Sequence, residues 1–263
     1  MKALKNWLFP ETALPTLLAI RPLAISMLED MQVRPYVVPA VRIGDACKQA
    51  GVAWETFLQR MENLGIPARG SDWAHLPICR LLDFLTQEHR DFAETFIPAI
   101  KAGFASGEGR KDFLGTLHPL IKAWPAFSAS LIEHMAAEEA FLFPKILRYA
   151  YCVKHHQVDP DFSDGSVKVF AAVHLMRGEE KQMVAISEFM EATAFSAFAG
   201  TMDAPAAGLF HLLETFQARL TEHSRMEREI LYPLAEGLER RLYDIYINGG
   251  TDPRIANPEL SPA

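Results

Sequence analysis

Two stretches of the chain repeat one phrase: EHMAAEEAFLFP at 133–144 and EHSRMEREILYP at 222–233. Each sets a histidine four residues before a glutamate, His134 before Glu138 and His223 before Glu227. Four residues on an α-helix turn about 40° around the axis and rise about 6 Å, so each pair aims an imidazole and a carboxylate in one direction. The flanking residues indicate which direction. Phe127 and Leu131 lead into the first pair, with Phe141 and Leu142 after it; Leu213, Phe216 and Leu220 lead into the second, with Ile230, Leu231 and Leu234 after it. Both pairs therefore interrupt an apolar stripe that faces a core. A buried carboxylate is costly without a partner, so imidazoles and carboxylates gathered in a core call for a cation.

The rest of the chain supplies further donors of the same kind. Leu81, Leu82 and Leu85 lead to His89, with Phe92 and Phe96 beyond, which again places a histidine on an apolar stripe. Val169, Val173 and Met176 lead to Glu180, followed by Met183, Ser187 and Met190. The candidate metal ligands are then His89, His134, Glu138, Glu180, His223 and Glu227. Secondary candidates are His118, beside Pro119 and off the stripe through Leu117 and Leu120, and His174, about 240° around the helix from Glu180. His75, His155, His156 and His211 read as surface or helix-end residues, and Pro144 and Pro233 as helix-end or kink prolines. Mixed imidazole and carboxylate donors projecting into a bundle suit two bridged iron ions.

Elements able to position these donors are helical. Helical periodicity predicts helices over about 74–104, from the Gly-rich 105–112 to about 151 with a bend at Pro119 and Pro125, over 165–197, and over 206–246. Four long helices with short joins give an all-α, up-down-up-down four-helix bundle. Residues 1–70 carry shorter amphipathic pieces and read as a small helical N-terminal domain, 71–247 as the bundle, and 248–263, rich in Gly and Pro, as a disordered tail.

Composition narrows the function classes. The 263 residues are 49% hydrophobic and 22% charged, enough for a substantial core. A formal net charge of −7 gives no electrostatic reason to expect nucleic acid or an anionic membrane as partner. No run approaches the roughly 20 apolar residues of a spanning helix, and Pro10, Glu11, Pro15 and Arg21 interrupt the apolar N-terminus, which reads against a signal peptide. Cys47, Cys79 and Cys152 are widely spaced, with no C-x-x-C pair, as expected of a reducing, cytoplasmic protein.

The stretches LLDFLTQEHRDF, LIEHMAAEEAFLFP, AVHLMRGEEKQM and LTEHSRMEREILYP, spanning about 74–240, resemble the hemerythrin-like, HHE cation-binding proteins, and within them the repair of iron centres family. The N-terminal RPLAISMLEDMQV and IGDACKQAGVAWETFLQRM are similar to the small domain that precedes the bundle there. The resemblance implies a hemerythrin-like fold and a non-haem di-iron centre, oxo- and carboxylate-bridged, held by five histidines and two glutamates. His89, His134, Glu138, His223 and Glu227 occupy matching positions. Two expected histidines do not match: Glu179-Glu180 stands where the family has Glu-His, and the histidine between the first two helices has no counterpart at the expected spacing, His118 substituting only if the local path differs. An extra carboxylate in place of an imidazole favours ferric iron. Tyr36-Val37 stands where the family carries adjacent cysteines, which weakens any thiol-dependent step.

The implied roles are a nitrosative or oxidative stress response or repair of iron–sulfur centres, with iron–sulfur proteins as partners. Alternatives are reversible binding or sensing of oxygen or nitric oxide, a carboxylate-rich di-iron oxidase or peroxidase, and a bundle that has lost its metal.

Overall fold

The computed structural model describes residues 8–33, 41–65, 73, 76–106, 111–159, 162, 169–179, 186, 188 and 204–249. Among them the chain is all-helical, and its one extended pairing is an isolated bridge between Ala13 and Arg42. In order, the helices are α1 (Leu14–Ile20), α2 (Ala24–Asp30), α3 (Ile43–Gln49), α4 (Trp54–Asn63), α5 (Ile78–Arg90), α6 (Ile97–Ser106), α7 (Lys111–Ala137), α8 (Phe143–Lys154), α9 (169–179), α10 (Ala204–Met226) and α11 (Tyr232–Ile247). No helix among the described residues is long and apolar enough to cross a membrane.

Three π-helical segments join these helices: Asp91–Phe96 between α5 and α6, Glu138–Leu142 between α7 and α8, and Glu227–Leu231 between α10 and α11. Each ends two residues before a proline, Pro98, Pro144 or Pro233. A proline inside a helix has no N–H for the carbonyl four residues back, and its ring collides with that carbonyl. Opening the helix by one residue relieves the collision, which accounts for a π turn just before each proline. Pro144 and Pro233 thus mark widened turns within continuing helices rather than helix ends. Pro119 and Pro125 are carried inside α7 itself.

The chain divides into two compact units. One comprises 1–86, 139–172 and 233–263. Within it α1 packs against α2 and α8, and α3 against α4, over a core that includes Leu14, Leu17, Leu28, Ile43, Phe57 and Met61. Phe57 and Met61, four apart on α4, show why that helix forms: they give it one apolar face to bury. The Arg21 guanidinium donates to Asp83 Oδ1 at 3.0 Å and to the Leu64 carbonyl at 3.0 Å. In the first described residues of α9, the backbone N–H groups of Val169 and Phe170 donate to the two carboxylate oxygens of Glu239, at 3.0 and 2.8 Å.

The other unit comprises 87–138 and 173–232 and contains the candidate site. Its core joins Phe92, Phe96, Phe104, Trp124, Phe127 and Phe216 with Ile100, Leu117, Leu120, Leu131, Leu209, Leu213 and Leu220. Phe216 is its hub: ring centroids of Phe92, Trp124 and Phe127 lie 5.6, 5.5 and 6.1 Å away in edge-to-face contacts. At Gly103 on α6 a Cβ would meet Leu209 Cδ1 of α10 at 2.7 Å, so glycine permits this close approach of the two helices. The described tail residues Asn248 and Gly249 form a turn, and the remainder of the expected tail lies outside the described residues.

Candidate metal centre

The aromatic core of the second unit runs directly into polar groups. Along α7, Phe127 and Leu131 give way to His134 and then Glu138; along α10, Phe216 and Leu220 give way to His223 and then Glu227; His89 precedes the core at the end of α5. All five are buried, with Glu138 fully so. His89, Glu138, His223 and Glu227 each bring one ligand atom into a group in which all four atoms lie within 4.8 Å of one another. The fold thus gathers side chains whose spacing sets them on buried stripes.

A register change follows the two pairs. Glu138 and Glu227 are each the first residue of a π segment, so the stripe shifts by one position beyond them. Leu142, Phe143 and Ile146 are buried in the first copy and Leu231, Tyr232 and Ala235 in the second. Phe141 and Leu234, expected on the stripe, instead face outward, Phe141 with 72% of its surface exposed. The wide turn is the physical reason: an α-helical count carried across it points one residue wrong.

Inside the group, His89 Nε2 and His223 Nε2 face each other at 3.2 Å. His223 Nε2 also lies 2.8 Å from Glu227 Oε1. Glu138 divides its oxygens: Oε2 is 3.6 Å from His89 Nε2, and Oε1 is 3.7 Å from His134 Nε2. Neither His134 Nε2 nor Glu138 Oε2 has a hydrogen-bond partner among the described residues. Burial pushes the Glu138 carboxyl well above the usual carboxylate range, and the Glu227 carboxylate beside it adds to the shift. Burial likewise holds His89 well below the usual imidazole range, reinforced by His223, His134 and Arg90. A neutral imidazole is the form that donates a lone pair to a metal.

These observations fit a metal ion. Buried polar atoms in hydrogen-bond deficit, two carboxylates in one apolar enclosure and two ring nitrogens close together are costly on their own, and a cation held by His89, Glu138, His223 and Glu227 could offset that cost. Imidazole with carboxylate is the donor chemistry of non-haem iron, among other transition metals.

Two supports flank the group. His134 Nδ1 pairs with Glu179 Oε2 at 3.0 Å, leaving Nε2 turned toward Glu138. A carboxylate on the far nitrogen is the usual way a ligand histidine is oriented. Arg219 on α10 donates from Nε to Glu88 Oε2 at 3.3 Å and from Nη2 to Asp91 Oδ2 at 2.6 Å, and its guanidinium lies 4.9 Å from the Phe96 ring centroid. Arg219 stands one turn before His223, and Glu88 is next to His89, so this pairing fixes the helices that carry both histidines.

His134 is buried beside the four-residue group but outside it. His118 and His174 are exposed and are not brought to the group; the core face of α9 is taken by Val169, Val173 and Met176. Glu180 lies outside the described residues. Spacing does not point to Glu179, whose only sequence signal is its place in the Glu-Glu pair, or to Tyr232, whose Oη donates to Glu138 Oε1 at 3.1 Å. The signal for Tyr232 was the one chemical difference between the ends of the two phrases, FP in one and YP in the other.

No protein-family model and no curated protein matches the chain by sequence.

Proposed function

We propose that the protein is a hemerythrin-like, non-haem di-iron protein in which His89, Glu138, His223 and Glu227 hold metal and His134 extends the site. The observation that carries this reading is the buried quartet with its ligand atoms within 4.8 Å of one another. Glu138 would offer both oxygens to such a centre, since one faces His89 and the other faces His134. The finer architecture, an up-down-up-down four-helix bundle, follows the same resemblance, with α9 and α10 contributing to it.

Iron bound here would supply a redox-active centre able to take oxygen or nitric oxide as a ligand. The protein's own part is to hold the carboxylates and imidazoles in place and to keep water out with the Phe92, Phe216 and Trp124 core. The role that fits this chemistry is defence against nitrosative or oxidative stress, including repair of iron–sulfur centres. Tyr36-Val37, at the place of the cysteine pair, favours a second reading in which the centre binds or senses a diatomic ligand. An oxidase or peroxidase is a third.

One set of assays on the iron-loaded protein separates these. Restoration of activity to a nitric-oxide-damaged iron–sulfur enzyme supports repair. Reversible optical change with oxygen or nitric oxide, without repair, supports the binding module, and peroxide turnover supports the oxidase class. An iron-loaded protein inert in all three assays contradicts the proposed function.

A further inference from the structure

Tyr232 is fully buried and opens α11 directly after the π segment Glu227–Leu231. Its ring lies under the Arg177 guanidinium, 5.6 Å from the ring centroid, and its hydroxyl donates to Glu138 Oε1 at 3.1 Å. The corresponding residue of the first phrase is Phe143, also buried. Phenylalanine therefore serves the packing of this phrase, and the hydroxyl is an addition peculiar to the second copy. Burying a phenol requires a hydrogen-bond acceptor, and here the acceptor is a carboxylate of the metal-binding group.

The carboxylate torsion of glutamate is broad and selects no orientation by itself. A donor on Oε1 fixes it, directing Oε2 toward His89 at 3.6 Å and leaving Oε1 turned to His134 at 3.7 Å. The same hydrogen bond draws electron density from the carboxylate and makes it a weaker donor to a metal. Glu227 has no tyrosine at the matching place of the other phrase, so the two half-sites differ chemically.

Resting on the metal-centre reading above, we propose that Tyr232 is a positioning residue that sets the carboxylate of Glu138 toward its two histidines and tunes the metal this carboxylate binds.

The test compares the wild type with Tyr232→Phe, a change the first phrase already accommodates, by anaerobic Fe(II) titration against a chelator and by redox titration of the loaded protein. Tyr232→Phe is expected to weaken Fe(II) binding by roughly 10- to 100-fold, the lost orientation of Glu138 outweighing its stronger donation, and to move the midpoint potential downward, because a carboxylate relieved of its hydrogen bond favours the ferric state. Affinity and potential equal to wild type overturn the inference while leaving the metal centre standing. A phenolate-to-iron charge-transfer band in the wild type, lost in Tyr232→Phe, also overturns it, since the phenol would then be a ligand. Failure of the wild type to take up Fe(II) overturns the metal-centre reading and this inference together.

Discussion

His89 Nε2 and His223 Nε2 meet at 3.2 Å in the interior, on helices brought together by Arg219 and its carboxylate partners Glu88 and Asp91. Two neutral imidazoles can satisfy each other only if one ring presents N–H and the other a lone pair. A metal changes that requirement, because both nitrogens then act as lone-pair donors. With Glu138 and Glu227, the pairing makes up a group of four ligand atoms that could hold a metal ion.

The positioning pair gives the first prediction. Arg219→Ala takes the guanidinium from the buried Glu88 and from the faces of Phe92 and Phe96. Removing one member of such a pair costs about 3 kcal/mol, read as a lower midpoint in urea unfolding of the metal-free protein. An unchanged midpoint would show that the pairing does not hold α5 and α10.

The core predicts a larger effect. Phe216→Ala leaves a cavity among Phe92, Trp124 and Phe127 and should cost about 3–5 kcal/mol in the same experiment. A loss below about 1 kcal/mol would mean that the cluster collapses to fill the space.

Proton linkage supplies a third. Glu138 is raised in the folded state, so its contribution to metal-free stability is present below the ordinary glutamate value of about 4.3 and is lost as pH rises through its folded value. His89 is lowered, so its contribution is present above about 6.5 and is lost as pH falls through its folded value. Metal needs the Glu138 carboxylate and the neutral His89. Fe(II) uptake near neutral pH should therefore expel on the order of one proton per chain and tighten as pH rises. Calorimetry in buffers of different ionisation enthalpy measures this directly, and uptake with no proton released would contradict the account.

The cysteines give a fourth. Cys47, Cys79 and Cys152 are buried and free, and burial pushes the thiols of Cys79 and Cys152 up to about 11 and about 12. Since the thiolate is the reactive form, native protein should label slowly with iodoacetamide and react fully only when unfolded. Rapid labelling of any of the three in the native state would restore a thiol-dependent step to consideration.

The sequence was informative where local geometry decides. His89, His134, Glu138, His223 and Glu227 were readable as buried because an α-helical period carries each from an apolar stripe, and those stripes belong to regular helices. Reading failed just beyond the glutamates, at Phe141 and Leu234, where the π segments change the period. The prolines that open those turns were visible, but their effect on register needed the backbone. Glu179 and Tyr232 were out of reach for a different reason. Each acts on a side chain 45 or 94 residues away, and such partners are set by packing rather than spacing.

The central claim is that the buried quartet binds metal. Metal analysis of wild-type protein purified without added metal, beside Glu138→Ala/Glu227→Ala with its helical content checked by circular dichroism, tests it most directly. The account predicts about two iron atoms per chain in the wild type, as in carboxylate-bridged bundles, and none in the double variant. Wild-type protein that binds no iron, or a folded double variant that retains it, would contradict the claim.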